Sequence, residues 1–202
     1  MMLSTSGGPA GPEADGWVNY AIPVIAGLMY RDSVEVDELK HPIRVEQLRL
    51  VPDSAGAGRH RGAPAQEVTY TPLENDVRVI IPCDGQFAPP RGVQGGADGT
   101  PGTTHLTSAN GDETKLPNLV NMAIHKGQSM RGRDSSGGGY GDPITREPAS
   151  VLRDVLEGWE GRAKAETVYG VIFTGEIDDE SLAVDASATQ TCRREIEAAR
   201  AG

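Results

Sequence analysis

Apolar and polar positions along the chain follow a short period first and a longer one later. From residue 43 to 51 the apolar positions are Ile43, Val45 and, after a slip near Gln47, Leu48 and Leu50, which predicts a strand carrying a bulge. Residues 66–71, 77–83 and 102–107 repeat the short strand pattern, the first two joined by a turn at Glu74-Asn75-Asp76. Asn110-Gly111 marks a tight hairpin turn, and 119–124 reads as one more strand. Five or so closely spaced strands over 43–132 predict a β-sandwich or barrel-like unit. Beyond it the period lengthens. Val151, Leu152, Val155 and Leu156 form one stripe of a short helix that Gly158 ends. Residues 162–167 predict a second short helix, 168–173 a short buried strand, and 181–201 a long polar helix. The fold class is α+β, a mainly β core followed by a helical C-terminal segment.

The start of the chain has less pattern. Residues 1–16 are Gly, Pro, Ser and acidic side chains with little to bury, which predicts a mobile or surface-draped arm. Residues 17–30 are mostly apolar, and Pro23 and Gly27 favour extended or turning structure. Val34 and Val36 then alternate with Glu35 and Asp37, either a solvated strand edge before a turn at His41-Pro42 or a polar functional surface. The division that follows is an arm over 1–16, a β-rich core over 17–143, and a helical segment with one short strand over 144–202.

Glycine-rich stretches punctuate the core. The central one is Arg133-Asp-Ser-Ser-Gly-Gly-Gly-Tyr-Gly-Asp-Pro143. Such a run is either a linker or a place where another group approaches closely; Tyr140 inside it and the Asp142-Pro143 turn signal favour a placed loop. A second stretch, Pro52-Asp-Ser-Ala-Gly-Ala-Gly-Arg-His-Arg-Gly62, ends in three basic side chains. Those can hold an anion or a partner's carboxylates, or neutralise an acidic surface. It lacks the Gly-Lys-Ser/Thr ending of a nucleotide-phosphate loop.

Composition narrows the functions. A length of 202 residues fits one large domain or two small ones, and a net charge of −10 disfavours nucleic acid and anionic membranes as partners. Proteins and small molecules are the expected partners. The two cysteines, Cys83 and Cys192, lie in no metal or redox motif and are expected to be reduced thiols in a cytoplasmic protein. The longest apolar run, 21–29, is broken by Pro23 and Gly27 and is too short to cross a bilayer. His41, His60, His105 and His125 are scattered, so no metal site is read, and no Gly-x-Ser-x-Gly nucleophile elbow is present. A complete active site is not legible, which points to part of an enzyme.

Four ordered motifs carry a resemblance: Asp53-Ser-Ala-Gly-Ala-Gly-Arg-His-Arg-Gly62, Phe87-Ala-Pro-Pro-Arg-Gly-Val-Gln-Gly-Gly96, Ser136-Gly-Gly-Gly-Tyr-Gly-Asp-Pro143 and Val168-Tyr-Gly-Val171. Together with Tyr30-Arg-Asp-Ser-Val-Glu-Val-Asp-Glu38 and the helix at 151–157, they resemble the C-terminal part of the hydantoinase B/oxoprolinase family over about residues 17–175. Ala55 and Ala63 stand where the family usually has glycine, and Ser135-Ser136 where a threonine or proline with another glycine is commoner.

The resemblance implies a split or truncated B-type chain working with two partners, the N-terminal half of a hydantoinase B-type chain and an A-type ATP-binding subunit. ATP and Mg would sit on the A-type subunit, and any divalent metal on the other B half. In enzymes that this chain resembles, the A component phosphorylates the oxygen of a cyclic amide (hydantoin, 5-oxoproline or another lactam) and the B component hydrolyses the activated ring. A related branch carboxylates acetone or acetophenone, and a non-catalytic structural subunit is the third possibility. Within that frame Glu35 and Glu38 are candidates for orienting water or contacting the partner. Arg59, Arg61, Gly137, Gly138, Gly139, Tyr140 and Asp142 are candidates for holding substrate or phosphate, the glycine N–H groups as an anion-binding nest.

Overall fold

The computed structural model describes residues 7–18, 33–178 and 180–201. The apolar run at 21–29, and the expectation of extended or turning structure around it, lie outside the described residues.

Nine strands and four α-helices are described. Helix α1 is Val34–Lys40. The strands of the core are β1 (Ile43–Leu50), β2 (Gln66–Pro72), β3 (Val77–Pro82), β4 (Thr103–Thr107), β5 (Glu113–Lys115), β6 (Leu119–Ile124) and β7 (Ser129–Arg133). Helices α2 (Pro148–Leu156) and α3 (Arg162–Thr167), strands β8 (Phe173–Thr174) and β9 (Ala183–Val184), and helix α4 (Ala186–Ala201) complete the chain.

The core is a sandwich. An antiparallel sheet of order β1-β2-β7-β4-β5 is covered by the two-stranded ribbon β3-β6. Ile43, Val68, Tyr70 and Met130 from the sheet meet Val79 and Ile124 from the ribbon in one apolar cluster. The ribbon's inner side chains are therefore lent a core that two strands cannot make alone. The pairing of β1 with β2 shifts register between Val45 and Gln47, where the sequence slips. A buried Glu67 on β2 ties three strands together: it accepts from Arg49 on β1 at 2.7 and 3.0 Å and from Arg133 on β7 at 3.0 and 3.1 Å. Burial raises the Glu67 pKa, but the two arginines outweigh it and hold the carboxyl below its ordinary value.

Three local expectations are corrected. The alternation at Val34–Asp37 belongs to α1, not to a strand edge: Ser33 caps the helix by accepting from the Val36 N–H, and Glu35 and Asp37 stand in its first turn. Residues 168–173 are not a strand, because Gly170 takes a positive φ of 62° and regular pairing starts only at Phe173. Finally, the long helix expected over 181–201 starts only at Ala186, after the short strand β9.

The described part of the N-terminal segment is built into the fold. Residues 7–18 double back, with Gly8 N–H donating to Trp17 O and Gly11 N–H to Ala14 O. They lie against 61–63, where Gly16 donates to Arg61 O and Ala63 donates to Gly8 O. Of the mobile or surface-draped arm expected over 1–16, residues 7–16 are the draped form, held by backbone hydrogen bonds. Their small side chains allow close backbone approach, and backbone hydrogen bonds supply what apolar burial does not.

Candidate functional site

Four glycine-rich segments come together beside the sandwich, and the triple glycine lies among them. Gly137 N–H donates to Ala63 O and Gly139 N–H to Ala97 O, while Gly137 O accepts from Gly56 and Gly138 O from Ala10. His60 and Tyr140 exchange both backbone hydrogen bonds, at 2.8 and 3.0 Å. None of Gly137, Gly138 and Gly139 has a positive φ. Glycine is required here for proximity: a Cβ on Gly137 would meet the Gly8 carbonyl, one on Gly138 that of Arg91, and one on Gly139 that of Ala57. Ala63, buried where its family resemblance has glycine, still makes both of its close backbone contacts.

This packing corrects the anion nest. The N–H groups of Gly137 and Gly139 are spent on carbonyls within the chain, and a nest needs successive free donors. The other candidates are placed as follows. Exposed Arg59 donates from Nη2 to Pro12 O at 2.8 Å. Tyr140 is held through its backbone. Asp142 accepts from Ile144 N–H and from Arg200 on α4 at 2.9 and 3.0 Å. Arg59 also meets the loop between Tyr140 and Asp142, its backbone N–H donating to Gly141 O at 3.2 Å. Glu35 and Glu38 are elsewhere: Glu35 is exposed in the first turn of α1, and Glu38 accepts from Val45 N–H at 2.7 Å, joining α1 to β1. Among the described residues, no hydrogen bond joins either glutamate to the bundle.

Arg61 opens the region that sequence reasoning missed. Its guanidinium lies 4.4 Å from the ring centroid of Trp159, and its Nε donates to Asp154 at 3.0 Å. Asp154 also receives Arg146 at 2.7 and 3.1 Å, and Arg146 in turn grips Asp15 with two hydrogen bonds of 2.7 Å. Arg61, Arg146 and Asp154 are each 2% exposed. Burial pushes the Asp15 pKa up, but Arg146 and then Arg61 outweigh it and hold the carboxyl below its ordinary value. The two acids and two arginines neutralise one another, which is what makes their burial tolerable. One signal was available: Asp154 stands three residues after Val151 on the buried stripe of α2, where a charge requires a partner. Asp15 and Arg146 stand among small residues and prolines and carried no such mark.

Beside this cluster is a cavity of about 480 Å³, lined by Asp15, Gly16, Trp17, Val18, Arg61, Arg153 and Trp159. A second buried acid lies nearby in the fold: Glu160 forms an ion pair with Lys164 at 2.8 Å and accepts from the Tyr169 hydroxyl at 3.3 Å. Burial first, with Asp53 adding to it and Lys164 opposing, pushes the Glu160 carboxyl up to about 7. Cys83 and Cys192 are both free thiols. Among the described residues, no group of three or more His, Cys, Asp or Glu side chains is placed to hold a metal ion. No described helix is long and apolar enough to cross a membrane.

Comparison with known proteins adds the family context. A model of the Hydantoinase B/oxoprolinase family matches residues 1–143. The chain is 28% identical over 181 residues to the beta chain of the caprolactamase of Pseudomonas jessenii, covering 87% of this chain and 31% of that one. It is 33% identical over 153 residues to the B component of a putative D-/L-hydantoinase of Pseudomonas sp. (strain NS671), covering 73% of this chain and 25% of the other. The crystal structure of the ATP-dependent caprolactamase from P. jessenii superposes with a TM-score of 0.73 at 26% identity, over 95% of this chain and 33% of that one. A nucleotide-free acetone carboxylase superposes with a TM-score of 0.77 over 98% of this chain and 30% of that one. Its 19% identity shows the shared fold alone. The chain therefore spans about a third or less of the length of these relatives.

Proposed function

Because the chain belongs to the hydantoinase B/oxoprolinase family, we propose that it works as part of the B component of an ATP-dependent hydrolase of cyclic amides. The observation that carries this reading is the similarity to the caprolactamase beta chain across 87% of the present chain, which extends beyond the family match into the helical segment. The remaining part of the B fold and an A-type ATP-binding subunit are the proposed partners, in the cytoplasm, where ATP is supplied.

The chemistry divides accordingly. A lactam carbonyl is a poor electrophile, and transfer of a phosphoryl group to its oxygen by the A component would make the ring carbon open to water. Nucleotide and metal are assigned to the partners in this proposal, as the family resemblance implies. What this chain contributes is a rigid wall. The neutralised cluster of Asp15, Arg61, Arg146 and Asp154 holds the glycine-rich bundle against α2 without excess charge. Arg59, Tyr140 and Asp142 would face the substrate or its phosphate from the bundle's side, and exposed Glu35, with Glu38 behind it, would contact a partner or orient water.

Reconstitution tests the reading. The purified chain, the A-type subunit and the polypeptide carrying the remaining B fold, all from the native host, are combined and ATP hydrolysis is followed. Hydrolysis that depends on a hydantoin, 5-oxoproline or caprolactam and on this chain is the expected outcome. Hydrolysis that depends instead on bicarbonate and a ketone, or that is unchanged when this chain is omitted, would overturn it.

A further inference from the structure

The cavity beside the ionic cluster has a chemistry that the bundle does not use. Its volume of about 480 Å³ suits a small organic molecule. Both tryptophans of the chain, Trp17 and Trp159, line it, and Trp17 is 70% exposed, a large apolar surface with nothing over it among the described residues. Arg61 is only 2% exposed, yet just two of its guanidinium nitrogens donate to other groups: Nε to Asp154 and Nη1 to Gly62 O. Nη2 has no hydrogen-bond partner among the described residues. Nη2 is not sealed off from solvent, so an acceptor entering the cavity would take the place of water as its partner.

The charge around the cavity sets what can enter. Asp15, Asp154, Arg61 and Arg146 sum to zero, and exposed Arg153 on the cavity wall adds one positive charge. A single negative charge is matched, while a second would face the Asp15 carboxylate. Two indoles as walls favour a flat, apolar body over an inorganic ion.

We propose that this cavity binds a small organic monoanion, a carboxylate on a flat apolar body, with the carboxylate accepting from Arg61 Nη2 and facing Arg153 and the body lying against Trp17 and Trp159. The site stands on its own geometry and does not depend on the lactam reaction being this chain's own.

Because both tryptophans line the cavity, the intrinsic fluorescence of the full chain reports on it directly. The chain is titrated with benzoate, with its neutral analogue benzamide and with inorganic phosphate. A saturable fluorescence change with benzoate is expected, with benzamide binding at least about tenfold more weakly and Arg153→Gln weakening benzoate about fivefold. Arg153 is exposed and outside the ionic cluster, so its variant should retain the fold, which the far-ultraviolet dichroism spectrum checks. A change that never saturates, equal binding of benzamide, equal competition by phosphate, or unchanged affinity in a folded Arg153→Gln chain would each overturn the proposal.

Discussion

Arg146 and Asp15 stand 131 residues apart in sequence, and two hydrogen bonds of 2.7 Å join them. Through this pair the N-terminal segment is locked to the loop before α2, since Arg146 holds Asp154 at the same time. Asp15→Ala leaves a buried guanidinium with half of its charge compensation, and a loss of roughly 3 kcal/mol is expected. Urea denaturation at pH 7 measures it. The Asp15 pKa lies below its ordinary value of 3.8, so its contribution is present above that value and fades as pH falls through the lowered one. The gap between wild type and Asp15→Asn should accordingly narrow below about pH 4. A gap that stays constant to pH 2 would show that Asp15 is not held ionised by the arginines.

The triple glycine makes a second, sharper test. A methyl group on Gly137 or Gly139 would run into backbone carbonyls of Gly8 or Ala57, which cannot swing away as a side chain would. Gly132 on β7 has open space where its Cβ would be and an ordinary φ. Gly139→Ala is expected to lose at least about 3 kcal/mol or fail to fold, and Gly132→Ala to stay within about 0.5 kcal/mol of wild type. Thermal melts of the two variants side by side would reveal whether the bundle tolerates a side chain; equal melting temperatures would mean that it does.

Ser136, directly before the triple glycine, is fully buried, and its hydroxyl ties three segments together. It donates to Ser54 O at 2.6 Å and accepts from Thr100 N–H at 2.7 Å. Ser136→Ala strands both groups, with an expected cost of about 2 kcal/mol, whereas Ser136→Thr keeps the hydroxyl and should cost less unless its added methyl clashes. Chemical denaturation of the two variants distinguishes loss of the hydroxyl from crowding.

These residues also show what the sequence could and could not disclose. The bulge in β1 and the stripe of α2 were legible because apolar burial repeats at the period of the element that makes it. Helix α1 was misread because Val34 and Val36 happen to alternate with acids, while the deciding feature was Ser33 as a cap. Strand β7, Ser-Met-Arg-Gly-Arg, escaped because pairing on both sides and one buried Met130 hold it, not a run of branched side chains. The triple glycine announced a close approach, but its partners come from residues 8–10, 56–63 and 91–97, and no local pattern encodes contacts of that range. The ionic cluster was hidden for the same reason: its charges are compensated only in three dimensions.

Glu160 gives the clearest dependence on pH. Its side chain is fully buried, facing Lys164 from α3 and the Tyr169 hydroxyl, with Asp53 across from it as a further negative charge. Burial pushes its pKa up from 4.5 to about 7, so between those values the folded chain holds a proton that the unfolded chain releases. The stability this gives is complete below pH 4.5 and is lost as pH rises through about 7, a change on the order of 3 kcal/mol. Glu160→Gln keeps the shape and the hydrogen bond from Tyr169 but cannot ionise. It should match wild type at pH 5 and exceed it by about 1 to 2 kcal/mol at pH 8, the gain being reduced by the charge partner that Lys164 loses. Urea midpoints of both chains at pH 5, 6, 7 and 8 decide the matter. Parallel curves would mean that Lys164 keeps Glu160 ionised throughout, and that the ion pair, not burial, governs the site.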